Sequence, residues 1–209
     1  MSRPDAMRLT AAGDVVSDGG LVLYPTDTLY GMGGDATRRS VVQRILAIKG
    51  LTTPRPFPLL VPSLAVARCA AGAIAHAALD VLARHAWPGA LTVIVPLTKE
   101  ARRRLGPATP DGSAGLRMPA HPAARYLAAR AGGYLIGTSA NAAGAPPPVD
   151  SDALAPDLVA TTDAWVEAAP PCGGRASTVL DLTGEEPTVL RAGALDPALL
   201  LALLRGIRT

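Results

Sequence analysis

Apolar positions fall into short runs punctuated by Pro, Gly and hydroxyl residues, and their spacing alternates between the periods of strands and helices. Leu21 to Tyr24 reads as a strand, while Val41, Val42, Ile45, Leu46 and Ile48 sit at helical spacing and stop at Gly50, a C-terminal stop of the kind glycine supplies. Leu59 to Val61 is strand-like, and Ser63 then caps an Ala-rich helix running to about Ala71. A second helix is expected over His76 to His85, after which Trp87-Pro88-Gly89 turns the chain into the β-branched run Leu91 to Val95. Later strands are predicted at Gly115 to Arg117, Tyr134 to Thr138, Ala164 to Val166, Thr178 to Leu182 and Thr188 to Arg191, with helices near Pro122 to Ala131 and Pro197 to Arg205. Strands and helices alternate without a repeat or a long low-complexity linker, which predicts an α/β domain of two or three layers on a mixed sheet.

The composition narrows this picture. A chain of 209 residues that is 49% hydrophobic and 18% charged fits one domain able to bury a core. Aromatics are only 3%, so that core must come from Ala, Leu, Val and Ile. Cys69 and Cys172 stand apart and in no Cys/His cluster, which argues against a zinc site or disulfide framework and for a reducing, cytoplasmic setting. Met1 to Thr10 carries Arg3, Asp5 and Arg8 without the apolar segment of a signal peptide. No run reaches the ~18 apolar residues of a membrane span. The net charge of +3 is mild, yet Lys99, Arg102, Arg103, Arg104, Arg117, Arg125 and Arg130 outnumber Glu100 and Asp111 locally. Such clustering favours an anionic partner, nucleotide phosphates or an RNA backbone. For Arg102 to Arg104 alone, a solvated face beside a loop explains the run equally well.

Several familiar motifs are excluded. Gly31-Met32-Gly33-Gly34-Asp35-Ala36 matches G-x-G-x-x-A after a strand, but Gly50 to Pro56 stands where a dinucleotide site needs an acid. No P-loop occurs. Gly137-Thr138-Ser139-Ala140-Asn141 resembles a nucleophile elbow, yet His76, His85 and His121 all precede Ser139, so the hydrolase order Ser, acid, His cannot be built. His76 reads as a helix-face residue and His121, before Pro122, as a turn.

What remains is cations and hydroxyls without an obvious base: Lys49, Arg55, Arg117 and Arg191, with Thr26, Ser113, Ser139 and Ser177. Fixed positive groups and hydroxyl donors suit a reaction whose difficulty is anionic charge on phosphates and carboxylates. Nucleotidyl transfer is such a reaction.

These residues also carry a family resemblance. Tyr24-Pro25-Thr26-Asp27-Thr28-Leu29-Tyr30-Gly31-Met32-Gly33-Gly34-Asp35-Ala36, Lys49-Gly50, Pro56-Phe57-Pro58-Leu59-Leu60-Val61, Trp87-Pro88-Gly89-Ala90-Leu91-Thr92, Gly115-Leu116-Arg117-Met118-Pro119, Thr138-Ser139-Ala140-Asn141, Ser177 to Thr183 and Leu190-Arg191 closely resemble the YrdC/TsaC family, in its order. The resemblance covers about Leu21 to Gly193. It implies a twisted mixed α/β sheet with flanking helices around a basic concave cavity, and a single YrdC-like domain over residues 1–209. It also implies threonylcarbamoyl-AMP synthase activity: L-threonine, bicarbonate and ATP give threonylcarbamoyladenylate and pyrophosphate, feeding a tRNA modification. Carried over by residue, Thr26, Arg117 and Ser177 surround threonine, while Lys49, Arg55, Ser113, Ser139, Asn141 and Arg191 surround ATP. Lys49 and Arg117 are the candidate catalytic cations. The expected chemistry has the threonine amine capturing CO2 and the carbamate attacking the α-phosphate. Mg2+ is expected to arrive with ATP, without a dedicated protein site. Expected partners are tRNA or double-stranded RNA and the proteins of the threonylcarbamoyl transfer machinery, with no membrane.

One position departs from the pattern. The family usually shows Lys-Gly-Arg where this chain has Lys49-Gly50-Leu51. Arg55, four residues on, is positioned to supply the missing guanidinium. Leu51 also resembles the YciO-like branch, whereas the intact Ser139-Ala140-Asn141 resembles the synthases. Ordinary structural roles compete at each site: Lys49 for a helix dipole, Asn141 for a turn cap, Thr26 and Ser177 for strand ends. Arg117 in an apolar strand resists that reading, because a buried arginine without an anion is costly. Three functional classes therefore stand side by side: the synthase, an RNA-binding module on the same concavity, and a YciO-like enzyme acting on another acyl-adenylate.

Overall fold

The computed structural model describes residues 3–53, 56–142, 144–167 and 172–207. In chain order the elements are α1 (Arg3–Ser17), β1 (Val22–Tyr24), β2 (Gly31–Gly33), α2 (Arg39–Ile48), β3 (Leu59–Leu60), α3 (Leu64–Ala70), α4 (His76–Ala86), β4 (Leu91–Pro96), α5 (Lys99–Leu105), β5 (Ser113–Arg117), α6 (Pro122–Arg130), β6 (Leu135–Ile136), β7 (Thr138–Ser139), α7 (Pro156–Ala160), β8 (Ala164–Trp165), β9 (Thr178–Asp181), β10 (Thr188–Arg191) and α8 (Pro197–Leu203). The α/β class and mixed pairing expected from the sequence are present, but in two sheets.

One sheet has the order β7-β2-β1-β8 and the other β10-β9-β4-β5-β3-β6. Both mix parallel and antiparallel neighbours: β1 runs antiparallel to β2 and parallel to β8, and β4 runs antiparallel to β5 and parallel to β9. The expected strand from Tyr134 to Thr138 is divided at Gly137, whose N–H bonds to Pro58 O. Its first part, β6, joins one sheet and its second, β7, the other. At this seam Tyr24 donates its hydroxyl to Ile136 O at 2.6 Å. A side chain on Gly33 would sit 1.8 Å from that same carbonyl, so only glycine allows the sheets to meet there.

The larger core lies under the six-stranded sheet. Val93, Val95, Ala114, Leu116, Leu180 and Leu182 point into it with residues of α3, α4 and α8 such as Ala67, Ala70, Ala78, Leu79, Leu82 and Leu200. A second cluster packs Leu9, Ala12 and Val16 of α1 against Ala123, Ala124, Leu127 and Ala128 of α6, over Val22, Tyr24 and Leu60. Period-two alternation then decides where the site lies. On β5, Ala114 and Leu116 are buried in the core, so Ser113, Gly115 and Arg117 share the opposite face.

Local signals explain most elements. Ser63 Oγ accepts from Val66 N at 3.4 Å and starts α3, and Gly50, at φ 63°, closes α2 with Leu51 N bonding to Leu46 O at 2.9 Å. His121 does more than turn the chain, since its Nδ1 accepts from Ala123 N at 3.3 Å as the cap of α6. Four elements escaped sequence reading: α1, β2, α5 and α7. The Arg102 to Arg104 run is helical, and all three guanidinium groups return to the protein, Arg102 to Leu97 O, Arg103 to the Glu100 carboxylate and Arg104 to Gly132 O, the last over the Tyr134 ring. No helix among the described residues is long and apolar enough to cross a membrane.

Candidate active site

Both sheets contribute to one cavity of about 360 Å³. Tyr24, Gly31, Thr138 and Ser139 line it from the smaller sheet; Leu60, Thr92, Arg117 and Arg191 line it from the larger one. The loop with Thr26, Thr28, Leu29 and Tyr30, the segment Pro56 to Pro58, Gly137 and the turn before β9 with Ala176 and Ser177 complete the wall. The cavity is polar because the strands present hydroxyls and arginines at their ends, where backbone pairing stops.

Arg117 is the most constrained group. It is only 6% exposed. Its Nη1 donates to Thr28 Oγ1 at 2.7 Å and its Nε to Gly89 O at 3.1 Å. The Trp87-Pro88-Gly89 turn supplies that carbonyl, and Gly89 N bonds back to Met118 O at 2.8 Å. Asp27 Oδ1 stands 2.8 Å from Nη2, a close charge-assisted pair that leaves both side chains largely out of solvent. Burial pushes the Arg117 pKa down, Asp27 pushes it up, and Arg191 pushes it down again. Two arginines thus share the field of one cavity.

Arg191 grips the turn before β9. Its Nε and Nη2 donate to Ser177 O at 3.1 and 2.9 Å, and Nη2 reaches Ser177 Oγ at 3.1 Å. Ser177 Oγ also lies 2.8 Å from Thr92 Oγ1. A side chain on Gly193 would come 2.4 Å from the Ser177 carbonyl carbon, so glycine permits the return after β10 to lie directly on this turn.

Thr26 serves its own loop. Its Oγ1 donates to Leu29 O at 2.7 Å, accepts from Thr28 N and Leu29 N at 3.1 Å each, and lies 3.0 Å from Thr28 Oγ1. Lys49, 7% exposed, is not in the cavity wall; its ammonium donates to Ser139 O at 2.6 Å and Asn141 O at 2.7 Å, behind the loop. Asn141 caps that loop, with Oδ1 accepting from Ser139 Oγ and Nδ2 donating to Ala145 O. Ser139 is therefore a wall residue, whereas Lys49 and Asn141 support it. Ser113 lies four residues along β5 from Arg117, on the same face and about 13 Å away at strand rise, outside the cavity lining. Gly115 between them keeps that strip of the face low. Arg55 lies outside the described residues. Leu51 follows the glycine stop of α2 and is half-buried.

Sequence reading missed Asp27, Thr28, Thr92 and Tyr24 as parts of the site. The signal available was an acid between two threonines at a strand end. Tyr24 and Tyr30 have hydroxyl pKa values raised by burial, and donate to Ile136 O and Val166 O. They stay protonated. The cavity wall holds cations and hydroxyls but no carboxylate or imidazole among the described residues.

Two mixed sheets enclosing such a wall define an α/β protein with a cavity lined by arginines and hydroxyls. The chain matches the Sua5–YciO–YrdC family model, described as telomere recombination, over residues 14–193, and it belongs to that family. A threonylcarbamoyl-AMP synthase of Xanthomonas axonopodis pv. citri is 36% identical over 167 residues, 78% of this chain and 87% of that protein. The crystal structure of Pyrococcus abyssi Sua5 complexed with L-threonine matches at TM-score 0.84 and 29% identity over 96% of this chain, which spans 58% of the archaeal chain. The crystal structure of E. coli YciO matches at TM-score 0.77 and 26% identity, over 92% of this chain and 91% of that one.

Proposed function

We propose that this chain is an L-threonylcarbamoyladenylate synthase, a nucleotidyltransferase using L-threonine, bicarbonate and ATP. The observation that carries the reading is the pair Arg117 and Arg191 in one cavity whose described lining holds hydroxyls and no carboxylate. Kinship with a synthase and with a threonine-bound structure supports the choice of substrate.

In this reading Arg117 takes the threonine carboxylate, with Thr26, Thr28 and Ser177 shaping the wall around it. The threonine amine adds to CO2 released from bicarbonate and loses a proton to give a carbamate. A carbamate oxygen then attacks the α-phosphorus, and the bond to pyrophosphate breaks. Arg191 and the Ser139 loop neutralise and orient the phosphates, Lys49 and Asn141 hold that loop, and the strip over Gly115 toward Ser113 gives the nucleotide room to lie along the sheet. No side chain need act as base, because the small deprotonated fraction of the threonine amine reacts, the hydroxide left when bicarbonate yields CO2 takes up the carbamate proton as water, and the remaining barrier is charge and alignment. Mg2+ would arrive on the triphosphate oxygens and shield their charge. The product serves tRNA modification, making tRNA and the transfer proteins its downstream partners.

The test is incubation with ATP, bicarbonate and each amino acid, reading pyrophosphate and the adenylate. Threonine and bicarbonate should both be required, with serine poorer. Turnover without bicarbonate, or equal turnover with all amino acids, refutes the substrate assignment. Leu51 and the near full-length likeness to YciO favour one second reading, a relative using another acyl group. Adenylate formation with a different carboxylate partner and none with threonine would establish it.

A further inference from the structure

Arg117 is held from three directions, by the Asp27 carboxylate, the Thr28 hydroxyl and the Gly89 carbonyl. Asp27 is outside the cavity wall, and its Oδ1 is fixed independently, accepting from Ala120 N at 3.0 Å in the turn after β5. Thr28 Oγ1 takes Nη1 at 2.7 Å. Both residues lie in a loop that is itself tied down: Thr26 Oγ1 closes it, Gly173 N bonds to Asp27 O at 3.3 Å, and Gly174 N bonds to Thr28 O at 2.8 Å. A flexible arginine side chain carries considerable rotamer freedom, so something must select the one orientation that keeps its guanidinium in the cavity wall.

We infer that Asp27 and Thr28 are positioning residues that clamp Arg117, so that its guanidinium meets the substrate carboxylate from the cavity wall. Asp27 supplies the charge that keeps a guanidinium stable at this depth, and Thr28 fixes the plane of its fork. The 2.8 Å pair holds Nη2 from outside the cavity wall, while Arg117 itself stands in that wall. This rests on the threonine reading above and deepens it.

Asp27→Asn is the discriminating variant, since the amide retains Oδ1 for Ala120 N and removes only the charge. Thr28→Val removes the acceptor at similar volume and carries the test where Asp27→Asn does not fold. Pyrophosphate release is measured with threonine varied at saturating ATP, then the reverse. The expected result is a rise of about tenfold or more in KM for threonine, with kcat and KM for ATP within about twofold of the parent, the pattern of lost substrate binding. Unchanged threonine KM in the folded variants overturns the inference. So does a parallel rise in both KM values with falling kcat, which would mark general damage. A parent without threonine-dependent turnover refutes the underlying reading instead. The clamp is then judged by NMR, from the exchange rate of the Arg117 Nε–H proton. Exchange accelerated about tenfold or more in Asp27→Asn sustains it, and an unchanged rate removes it.

Discussion

Arg117 and Arg191 have opposite structural surroundings, so their alanine variants should fail in different ways. Arg117 and Asp27 keep side-chain exposures of 8% and 18%. Arg117→Ala leaves that carboxylate without its counter-ion; breaking a buried pair from one side costs about 3 to 5 kcal/mol, and the residual exposure of Asp27 points to the lower end. At roughly 2 to 4 °C per kcal/mol for a chain of this size, the melting temperature should fall by at least ~6 °C. Arg191 is exposed, and among the described residues its donors go to Ser177. Its removal should cost about 1 kcal/mol of stability, clearly less than the loss of Arg117. In catalysis the variants converge, because each loses charge-assisted bonds of ~1.5 to 3 kcal/mol to an anion, or roughly 10- to 150-fold in kcat/KM. The assay pairs thermal melts with pyrophosphate release. The double variant Arg117→Ala/Asp27→Asn should regain most of the lost melting temperature, since the neutral amide needs no counter-ion. A double variant no more stable than Arg117→Ala refutes the ion-pair argument, and normal kinetics in Arg191→Ala removes that arginine from the site.

Three further outcomes are expected. Tyr24→Phe strips a fully buried donor from Ile136 O at the seam of the sheets and should lower the free energy of unfolding by ~1 to 3 kcal/mol; an unmoved urea midpoint would contradict the role given to that bond. Lys49→Met should loosen the Ser139–Asn141 loop, speeding its amide exchange by about tenfold, a local change near 1.4 kcal/mol; unchanged exchange would return Lys49 to a purely catalytic reading. Burial lowers the His121 pKa, with Asp27 opposing and Arg125 assisting. A depressed folded-state value leaves stability intact above the unfolded pKa of about 6.5 and loses it as pH falls through the folded one. Protonation also turns the Nδ1 cap of α6 from acceptor to donor. Melting temperature should therefore drop on acidification below about pH 6.5, and His121→Asn, which keeps a capping oxygen, should flatten that slope; parallel slopes would exclude His121 as its source.

Legibility in the sequence followed the range of the interactions involved. Strands such as Val22–Tyr24 and Leu91–Pro96 were readable because they are buried runs of β-branched and large apolar residues. Helix α2 announced itself by period and by Gly50. Helix α1 did not, because RPDAMRLTAAGDVVS mixes charges and glycine with few apolar positions and gains its order by packing Leu9, Ala12 and Val16 on α6. β2 is Gly31-Met32-Gly33, a sequence with almost no strand propensity, made a strand by Tyr24 beneath it and by its register with β1. The division of β6 from β7 depends on Pro58 O meeting Gly137 N across 79 residues of chain, a distance no local pattern encodes.

The same rule sorts the site residues. Arg117, Arg191 and Ser139 end their strands in the cavity wall, which is where strand-end chemistry was expected. Lys49 illustrates what motif reading cannot decide: a cation next to a glycine stop can face a ligand or brace a loop, and only the position of Ser139 O and Asn141 O distinguishes them. Asp27 is the converse case. Its neighbours in sequence are hydroxyls, its partners Arg117 and Ala120 are 90 and 93 positions away, and its role becomes visible only when β5 is placed beside the loop. The local cluster of arginines from Arg102 to Arg130 looked like the basic surface, yet Arg102, Arg104 and Arg125 donate to main-chain carbonyls and Arg130 pairs with Asp14. Charge count along a sequence measures how many cations are present, while the chemistry depends on which of them have donors left after the fold has used its share.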